Sequence, residues 1–348
     1  MAAARFTPSS PRTVDLEIAL RAAIGLAVPL LVLLAVGRME LAAYATFGAF
    51  TGLYGRGEPY RSRIVTVSAA GAGLLASMAL GVAVSLTGAP LAVEAALLVV
   101  VLVAGSLLHS YLQAIPGQPL FFCFAFVVTA VIPVAPGTLP AVTATALGGA
   151  AFAWLVSLAG WGLRARFGPG HPALFRPLAR RPRRTRATLR DPIVIEYAVL
   201  NAVGALAAGA IALAIGLGHS YWAVISLVAC LPAANARHSP ARALHRVIGT
   251  AVGVGVAALL LAADLPPLGI IGVAVVCQFL AELLIARNYA ATLVVLTPLA
   301  LLVTTLSSPS PLGPLIRDRL VDTLIGAAVS LALLVLLLPL RRRRILAS

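Results

Sequence analysis

The sequence predicts an all-α polytopic membrane protein with about twelve transmembrane helices. Hydrophobic residues are 61% and charged residues 11% of the chain, whereas soluble domains are about half apolar and about a quarter charged. The mean hydropathy is +1.01. The few charges lie mainly between apolar runs long enough to cross a bilayer, which takes about 17–25 residues.

These apolar runs give six predicted spans in each half of the chain. The spans lie near residues 18–37, 41–55, 64–87, 90–108, 119–135 and 140–163, and then near 193–217, 221–236, 243–263, 267–286, 289–306 and 319–340. The first apolar run is longer than the core of a signal peptide, so we expect it to be retained. The second and eighth runs are short, which is typical of tilted helices or of half-helices that line a cavity.

The distribution of Arg predicts the orientation. The net charge is +15, and most Arg residues fall in alternate loops. Cytoplasmic loops of membrane proteins are enriched in basic residues, so we expect both termini to be cytoplasmic, in a bacterial cytoplasmic membrane. The basic segment 164–192 is broken by Pro and Gly and predicts a cytoplasmic linker near anionic headgroups. A partner-binding or RNA-binding tail is the alternative, but we expect no nucleic acid partner.

The two halves look like copies of each other. The number of residues from Tyr44 to Trp222 equals the number from the TALG sequence at 145–148 to the TLIG sequence at 323–326. Ala, Leu, Val and Gly dominate the chain, so chance matches are frequent. The pattern predicts two parallel six-helix repeats, 1–163 and 193–348, with an Arg-rich C-terminus. Transporters built from repeats bind substrate near the midplane, between the repeats.

Pairs of Gly four residues apart predict close helix packing. They are Gly48 with Gly52 and Gly249 with Gly253. Small residues let helix backbones approach within a membrane, so we expect contacts inside one chain. A homo-oligomer interface is the alternative.

Ionisable residues at membrane depth are the candidates for function, because each is costly unless paired or hydrated. Glu282, Arg319 and Asp322 are candidates for proton coupling or for ion pairs. Arg319 and Asp322 stand three residues apart on a predicted helix and can pair. Glu282 could instead neutralise Arg287 or Arg246.

A basic cluster predicts a path for organic anions. It contains Arg242, Arg246 and Arg287, and Trp222 is the aromatic candidate beside it. Clustered guanidinium groups attract anions and bind carboxylates bidentately. The alternatives are ordinary positive-inside topology for the Arg residues and an aromatic-belt anchor for Trp222.

The sequence carries no motif of a soluble enzyme. It has no Walker A, HExxH or GxSxG pattern. Its three Cys residues lie in apolar stretches without CxxC spacing, which favours buried hydrophobes over a metal or redox site. We therefore predict no enzyme, cofactor or metal.

The second half resembles the fusaric acid resistance protein-like family of membrane transporters. The residues that carry the resemblance are Tyr221, Trp222, Pro232, Arg242 and the sequence from Arg246 through Gly249 and Thr250 to Gly253, followed by ARNYA at 286–290 and the segment 319–326. The resemblance covers about residues 195–340. The family is similar in outline to aromatic acid exporters and to plant aluminium-activated malate channels. Many relatives carry a sizeable soluble domain, where this chain has only the basic linker.

The resemblance implies a secondary transporter that exports small, often aromatic, organic acids, driven by the proton gradient. Its expected partners are a small organic anion and the lipid membrane. A passive organic-anion channel and a non-transporting membrane scaffold subunit are the alternatives.

Overall fold

A computed structural model describes residues 13–167, 178, 180, 182–233, 241–307 and 311–347. Within these ranges the chain forms α-helices joined by short loops and 3₁₀ turns, and no strand occurs in them. The first half contains α1 (Thr13–Ala35), α2 (Ala42–Ala49), α3 (Tyr60–Thr87), α4 (Leu91–Leu112), α5 (Leu120–Val131) and α6 (Leu139–Phe167). The second half contains α7 (Pro192–Ala214), α8 (Tyr221–Cys230), α9 (Ala241–Ala262), α10 (Pro267–Leu284), α11 (Tyr289–Ser307) and α12 (Leu312–Ala347).

The helix lengths make this a multi-pass membrane protein. Over the described residues, nine helices are long and apolar enough to cross a membrane, while α2, α5 and α8 are shorter. The all-helical membrane class is therefore confirmed, as is the short length of the second and eighth helices. A count of twelve spans stays a prediction.

Local sequence accounts for several helix ends. The Asp191 carboxylate accepts a hydrogen bond from the Ile193 N–H at 2.9 Å, which caps α7, and Pro192 suits the first helical position. The helix α3 ends at Gly88, whose φ of +57° suits glycine. Several helices differ from their predicted bounds. The helix α1 begins at Thr13, ahead of the predicted 18, and α12 begins at Leu312, ahead of the predicted 319, whereas α5 ends at Val131, short of the predicted 135, and α8 ends at Cys230, short of the predicted 236.

Helix contacts in the first half have counterparts in the second. The α2–α6 contact corresponds to α8–α12, and the α3–α5 contact corresponds to α9–α11. Between the halves, α1 packs against α10, and α7 packs against α4 in the same way. These pairings support the two-repeat arrangement, which stays a prediction together with its limits.

Glycines allow the closest helix contacts. A Cβ added to Gly48 would lie 2.6 Å from the Ala146 carbonyl oxygen of α6. On Gly249 it would lie 2.5 Å from the carbonyl oxygen of Ala290 in α11. Backbone atoms cannot retreat as a flexible side chain can, so these positions need glycine. The predicted packing of these glycines inside one chain is confirmed.

Candidate functional site

Three cavities follow one another along the seam, by which we mean the contact region between α1–α6 and α7–α12. We call the end of the bundle where α6 leads into α7 the linker side, and the other end the far side. The central cavity measures about 670 Å³, the linker-side cavity about 1110 Å³ and the far-side cavity about 620 Å³, including their open space. Neighbouring cavities share lining residues, namely Phe50, Leu120, Phe121, Arg246, Leu293 and Leu296 on one side of the central cavity and Thr304 on the other. The cavities therefore form a row between the two ends of the bundle.

The first half contributes an aromatic wall to the central cavity. The wall consists of Phe47 from α2, Phe50 from the 3₁₀ turn that follows α2, and Phe121 and Phe124 from α5. Phe47 and Phe124 meet edge to face, with centroids 5.0 Å apart, and Phe50 and Phe121 are 4.9 Å apart. Such tilted pairs present both ring edges and ring faces to the space beside them. The short helix α2 thus lines a cavity, which agrees with one of the two interpretations of its length.

The second half contributes a guanidinium group to the same cavity. Arg319 is 3% exposed, and its Cζ lies 3.9 Å from the centroid of the Trp222 ring. Its Nε and Nη1 atoms are buried and have no hydrogen-bond partner. A cation held by a ring face keeps its N–H donors free for an acceptor. Arg319 is thus placed to bind an anion inside the cavity.

Trp222 lies at the seam and not at the lipid surface. Its side chain is 0% exposed, and its ring packs 5.2 Å from that of Phe124 in the other half. The aromatic-belt interpretation of Trp222 is therefore wrong. The reason is that α8 is short and enclosed by α5, α7, α9 and α12, so its first turn does not reach the lipid.

The predicted ion pair between Arg319 and Asp322 does not form. Asp322 is 0% exposed, neither of its carboxylate oxygens has a hydrogen-bond partner, and no ion pair joins it to Arg319 within 4.0 Å. Because α12 begins at Leu312, both residues lie inside the helix and not at its interfacial first turn. Arg319 is turned towards Trp222 instead.

Arg242 and Arg246 line the linker-side cavity, as the basic-cluster hypothesis expected. The Arg242 Nε donates to the Ala229 carbonyl oxygen at 2.8 Å, and its Cζ lies 4.2 Å from the Tyr289 ring centroid. Arg246 reaches both the linker-side and central cavities and has a buried Nε without a partner. Arg287 is exposed in the turn after α10 and lines none of the three cavities, so its predicted place beside the other two is wrong.

Glu282 pairs with the first half of the chain. Its Oε2 accepts from Nη1 of Arg56 at 2.6 Å, and its carbonyl oxygen accepts from Nη2 of Arg56 at 2.8 Å. Both residues line the linker-side cavity. The expectation that Glu282 neutralises Arg287 or Arg246 is therefore wrong. In the sequence, Arg56 is one of the basic residues that indicate the orientation, and its position between two glycines is a signal of an unusual loop.

The described part of the linker is docked on the membrane domain. Glu58 is 0% exposed and accepts from Thr66 Oγ1 at 2.7 Å and from Arg180 Nη1 at 2.9 Å, while Arg184 Nη2 lies 3.6 Å away. The Arg180 N–H also donates to the carbonyl oxygen of Gly57 at 3.2 Å. Burial lowers the pKa of Arg180, against the attraction of Glu58. The linker is thus more than a connector held near lipid headgroups, although part of it, 168–177, 179 and 181, lies outside the described residues.

The far side contains hydrogen bonds within the second half and between the two halves. Asp318, 1% exposed, accepts from the Gly218 N–H at 3.1 Å and bonds to His219 Nδ1 at 2.8 Å. The N–H of Ala43 donates to Ser307 Oγ at 2.8 Å, which joins the two halves. His219 lines the far-side cavity.

The part of the chain that the structure describes has no group of three or more His, Cys, Asp or Glu that could hold a metal ion. All three cysteines are buried, as predicted.

Comparisons with known proteins concern the second half. Residues 206–333 match the family model of fusaric acid resistance protein-like proteins. A stretch of 143 residues, 41% of this chain, is 31% identical to the uncharacterized membrane protein YvaC of Bacillus subtilis (strain 168) and spans 22% of that protein. No solved structure gives a significant match. The matched region contains Trp222, Arg246, Glu282, Arg319 and Asp322, and the match agrees with the family resemblance that the second half of the sequence predicted.

Proposed function

We propose that this protein is a secondary transporter that exports small aromatic organic acids from the cytoplasm, coupled to the proton gradient. The observation that carries the proposal is the composition of the central cavity. An aromatic wall from one half faces buried guanidinium N–H groups from the other, and those groups have no acceptor within the described protein.

The chemistry of the cavity fits an aromatic carboxylate. A ring can pack against Phe121 and Phe124, while the carboxylate accepts hydrogen bonds from Arg319 and Arg246. Charge-assisted hydrogen bonds are stronger than neutral ones, and the attraction grows where water is excluded.

Asp322 is the proposed coupling group. Its ionised carboxylate would compete with a substrate carboxylate for Arg319, one turn away on the same helix. Protonation of Asp322 and occupation of Arg319 would then depend on each other, because linked binding equilibria act reciprocally. Glu282, the other candidate, is already bound by Arg56.

We place the protein in the bacterial cytoplasmic membrane, with the linker side in the cytoplasm. The Arg distribution supports this orientation by the positive-inside rule.

Transport by inside-out vesicles tests the proposal. Labelled benzoate and an aliphatic dicarboxylate would be offered with and without a protonophore. We expect protein-dependent benzoate accumulation that the protonophore abolishes and that Arg319→Gln lowers at least about tenfold, as expected when a charged hydrogen bond is lost. Arg186→Gln, in the exposed part of the linker, should transport like the wild type. An Arg319→Gln variant with wild-type flux would contradict the proposal.

The row of cavities also suits a passive anion channel, and Asp322→Asn separates the two functions. A coupled exporter should lose its dependence on the proton gradient, whereas a channel should conduct benzoate down its own gradient in both proteins. Absence of any flux, together with one stoichiometric partner in pulldown, would favour a membrane scaffold subunit.

A further inference from the structure

We propose that Arg56 is a carboxylate-binding entry site at the linker side, and that Glu282 is its resident occupant, which an incoming organic anion displaces. The inference rests on the proposed function, because it assumes that carboxylates pass along the seam. It adds a site that lies ahead of Arg246 and Arg319 on the path.

Glu282 binds Arg56 through one carboxylate oxygen and through its main-chain carbonyl oxygen. Two guanidinium nitrogens of Arg56 bond to it, at 2.6 Å to a carboxylate oxygen and at 2.8 Å to the carbonyl oxygen. The two side chains are 13% and 11% exposed and line the linker-side cavity, so an anion in that cavity can reach them. An incoming carboxylate can therefore replace that of Glu282 on Nη1, while Nη2 keeps its bond to the carbonyl oxygen.

The loop that carries Arg56 is fixed more firmly than Glu282. Gly55 and Gly57 flank Arg56 with φ values of +71° and +68°, and Glu58 is clamped by the linker. Asp15 lies 3.8 Å from Nη2 of Arg56 and helps to orient it. Glu282, in contrast, is a three-torsion side chain near the end of α10, and a rotamer change is enough to move its carboxylate. The guanidinium is thus the stationary partner.

A second cation is ready to receive the displaced carboxylate. Arg21 lies on α1, which packs against α10, and it is close enough to Glu282 for a Coulomb interaction. Arg21 is 5% exposed, and none of its three guanidinium nitrogens has a hydrogen-bond partner. Arg21 also attracts Glu17 on its own helix, but its N–H donors have no acceptor. A buried cation without an acceptor is costly, so Arg21 favours release of Glu282 from Arg56.

Equilibrium binding of labelled benzoate to the purified full-length protein tests the site. In Glu282→Gln the resident carboxylate is gone, so benzoate should bind about fivefold or more tightly than to the wild type. Arg56→Gln should bind benzoate more weakly than the wild type does. The double variant should have the same affinity for benzoate as Arg56→Gln alone, because Glu282 can compete with benzoate only where Arg56 is present. Glu94→Gln, a half-buried glutamate near the far side, is the matched control and should leave affinity unchanged.

Each outcome decides a different question. If the wild type binds benzoate and Glu282→Gln tightens binding only when Arg56 is present, the entry site is supported. If the wild type binds but Glu282→Gln has no effect, or has the same effect without Arg56, the inference is overturned while the proposed function stands. If no protein binds benzoate, both are overturned. Should Glu282→Gln fail to fold, Glu282→Asp keeps the charge on a shorter side chain and should give a smaller gain in affinity, again only with Arg56 present.

Discussion

At the scale of residues, the central cavity divides its chemistry between the two halves. The aromatic side chains of α2 and α5 face guanidinium groups of α9 and α12. Trp222 is the second-half residue that touches both sets, since its ring contacts Phe124 and supports Arg319. Loss of Trp222 should therefore affect the placement of Arg319 as well as the aromatic surface.

We predict that Trp222→Leu lowers benzoate transport at low substrate concentration by up to about tenfold, because a desolvated cation–π contact contributes roughly 1–2 kcal/mol. Trp222→Phe keeps a ring face and should lose less than about threefold. Vesicle uptake measures both. Trp161→Leu, at an exposed position on α6, is the control. Equal losses in Phe and Leu variants would argue against support of Arg319 by the ring.

Sequence reasoning found part of this site. Arg242, Arg246, Arg319 and Trp222 follow from the basic pattern and the family resemblance. The contact between Arg56 and Glu282 joins residues far apart in the chain, and nothing in a single sequence specifies which Arg a distant Glu will meet.

The burial of a second cation, Arg21, was also not predicted from the sequence. Arg21 lies within a predicted span, so its depth was a signal that could have been used. Its lack of partners depends on the packing of α1 against α10, which only the structure gives.

At the scale of helices, glycine sets the separation of α9 and α11. A Cβ on Gly253 would lie 2.8 Å from the Leu293 carbonyl oxygen and 2.8 Å from Thr297 Cβ, whereas one on Gly255 would meet nothing within 4 Å. We predict that Gly253→Ala destabilises the protein by about 1–3 kcal/mol through overpacking. Gly255→Ala, on the exposed face of the same helix, should be neutral or slightly stabilising.

Thermal unfolding of the two variants in detergent checks this prediction. The result that would oppose it is an unfolding temperature of Gly253→Ala at or above that of Gly255→Ala. Such a result would mean that α9 and α11 can separate without loss.

The linker should stabilise the loop that precedes α3. Removing Arg180 and Arg184 together leaves Glu58 buried without a cation, and breaking a buried pair in this way costs about 3–5 kcal/mol. We therefore expect the double Ala variant to unfold at lower temperature and to be cut faster by trypsin in the linker. Adding Glu58→Gln to that variant should recover part of the loss.

The matched control for the linker is a double Ala variant of Arg183 and Arg186, both exposed. It should unfold like the wild type. If Glu58→Gln brought no recovery in the first variant, the loss would have to come from the packing of the Arg side chains and not from the buried carboxylate.

Hydropathy predicted the helices well, because a bilayer leaves few alternatives to an apolar helix for the backbone. Two of the errors in helix limits, those of α5 and α12, have local causes. Pro133 disfavours helix at the residue before it, so α5 ends early. The predicted start of α12 is too late because charged residues such as Arg317 and Asp318 are typical of loops. In the structure Asp318 is buried and bonded to the loop before α8.

At the scale of the whole molecule, the proposed transport requires that the substrate passes along the seam. Among the described residues, hydrogen bonds join the halves across it between Arg56 and Glu282 and between Gln118 and Leu231 on the linker side, and between Ala43 and Ser307 on the far side. The cavities lie between these bonds. An alternating opening of the two ends would expose the central cavity to one side at a time.

The most direct test places a cysteine in the central cavity. Phe124→Cys would be made in a protein whose three native cysteines are replaced by Ala, and Val199→Cys, exposed on α7, would be the control. We predict that a small water-soluble methanethiosulfonate blocks benzoate flux in Phe124→Cys, that excess benzoate slows the block, and that flux through Val199→Cys is unaffected. Complete modification of Phe124→Cys without loss of flux would contradict transport along the seam.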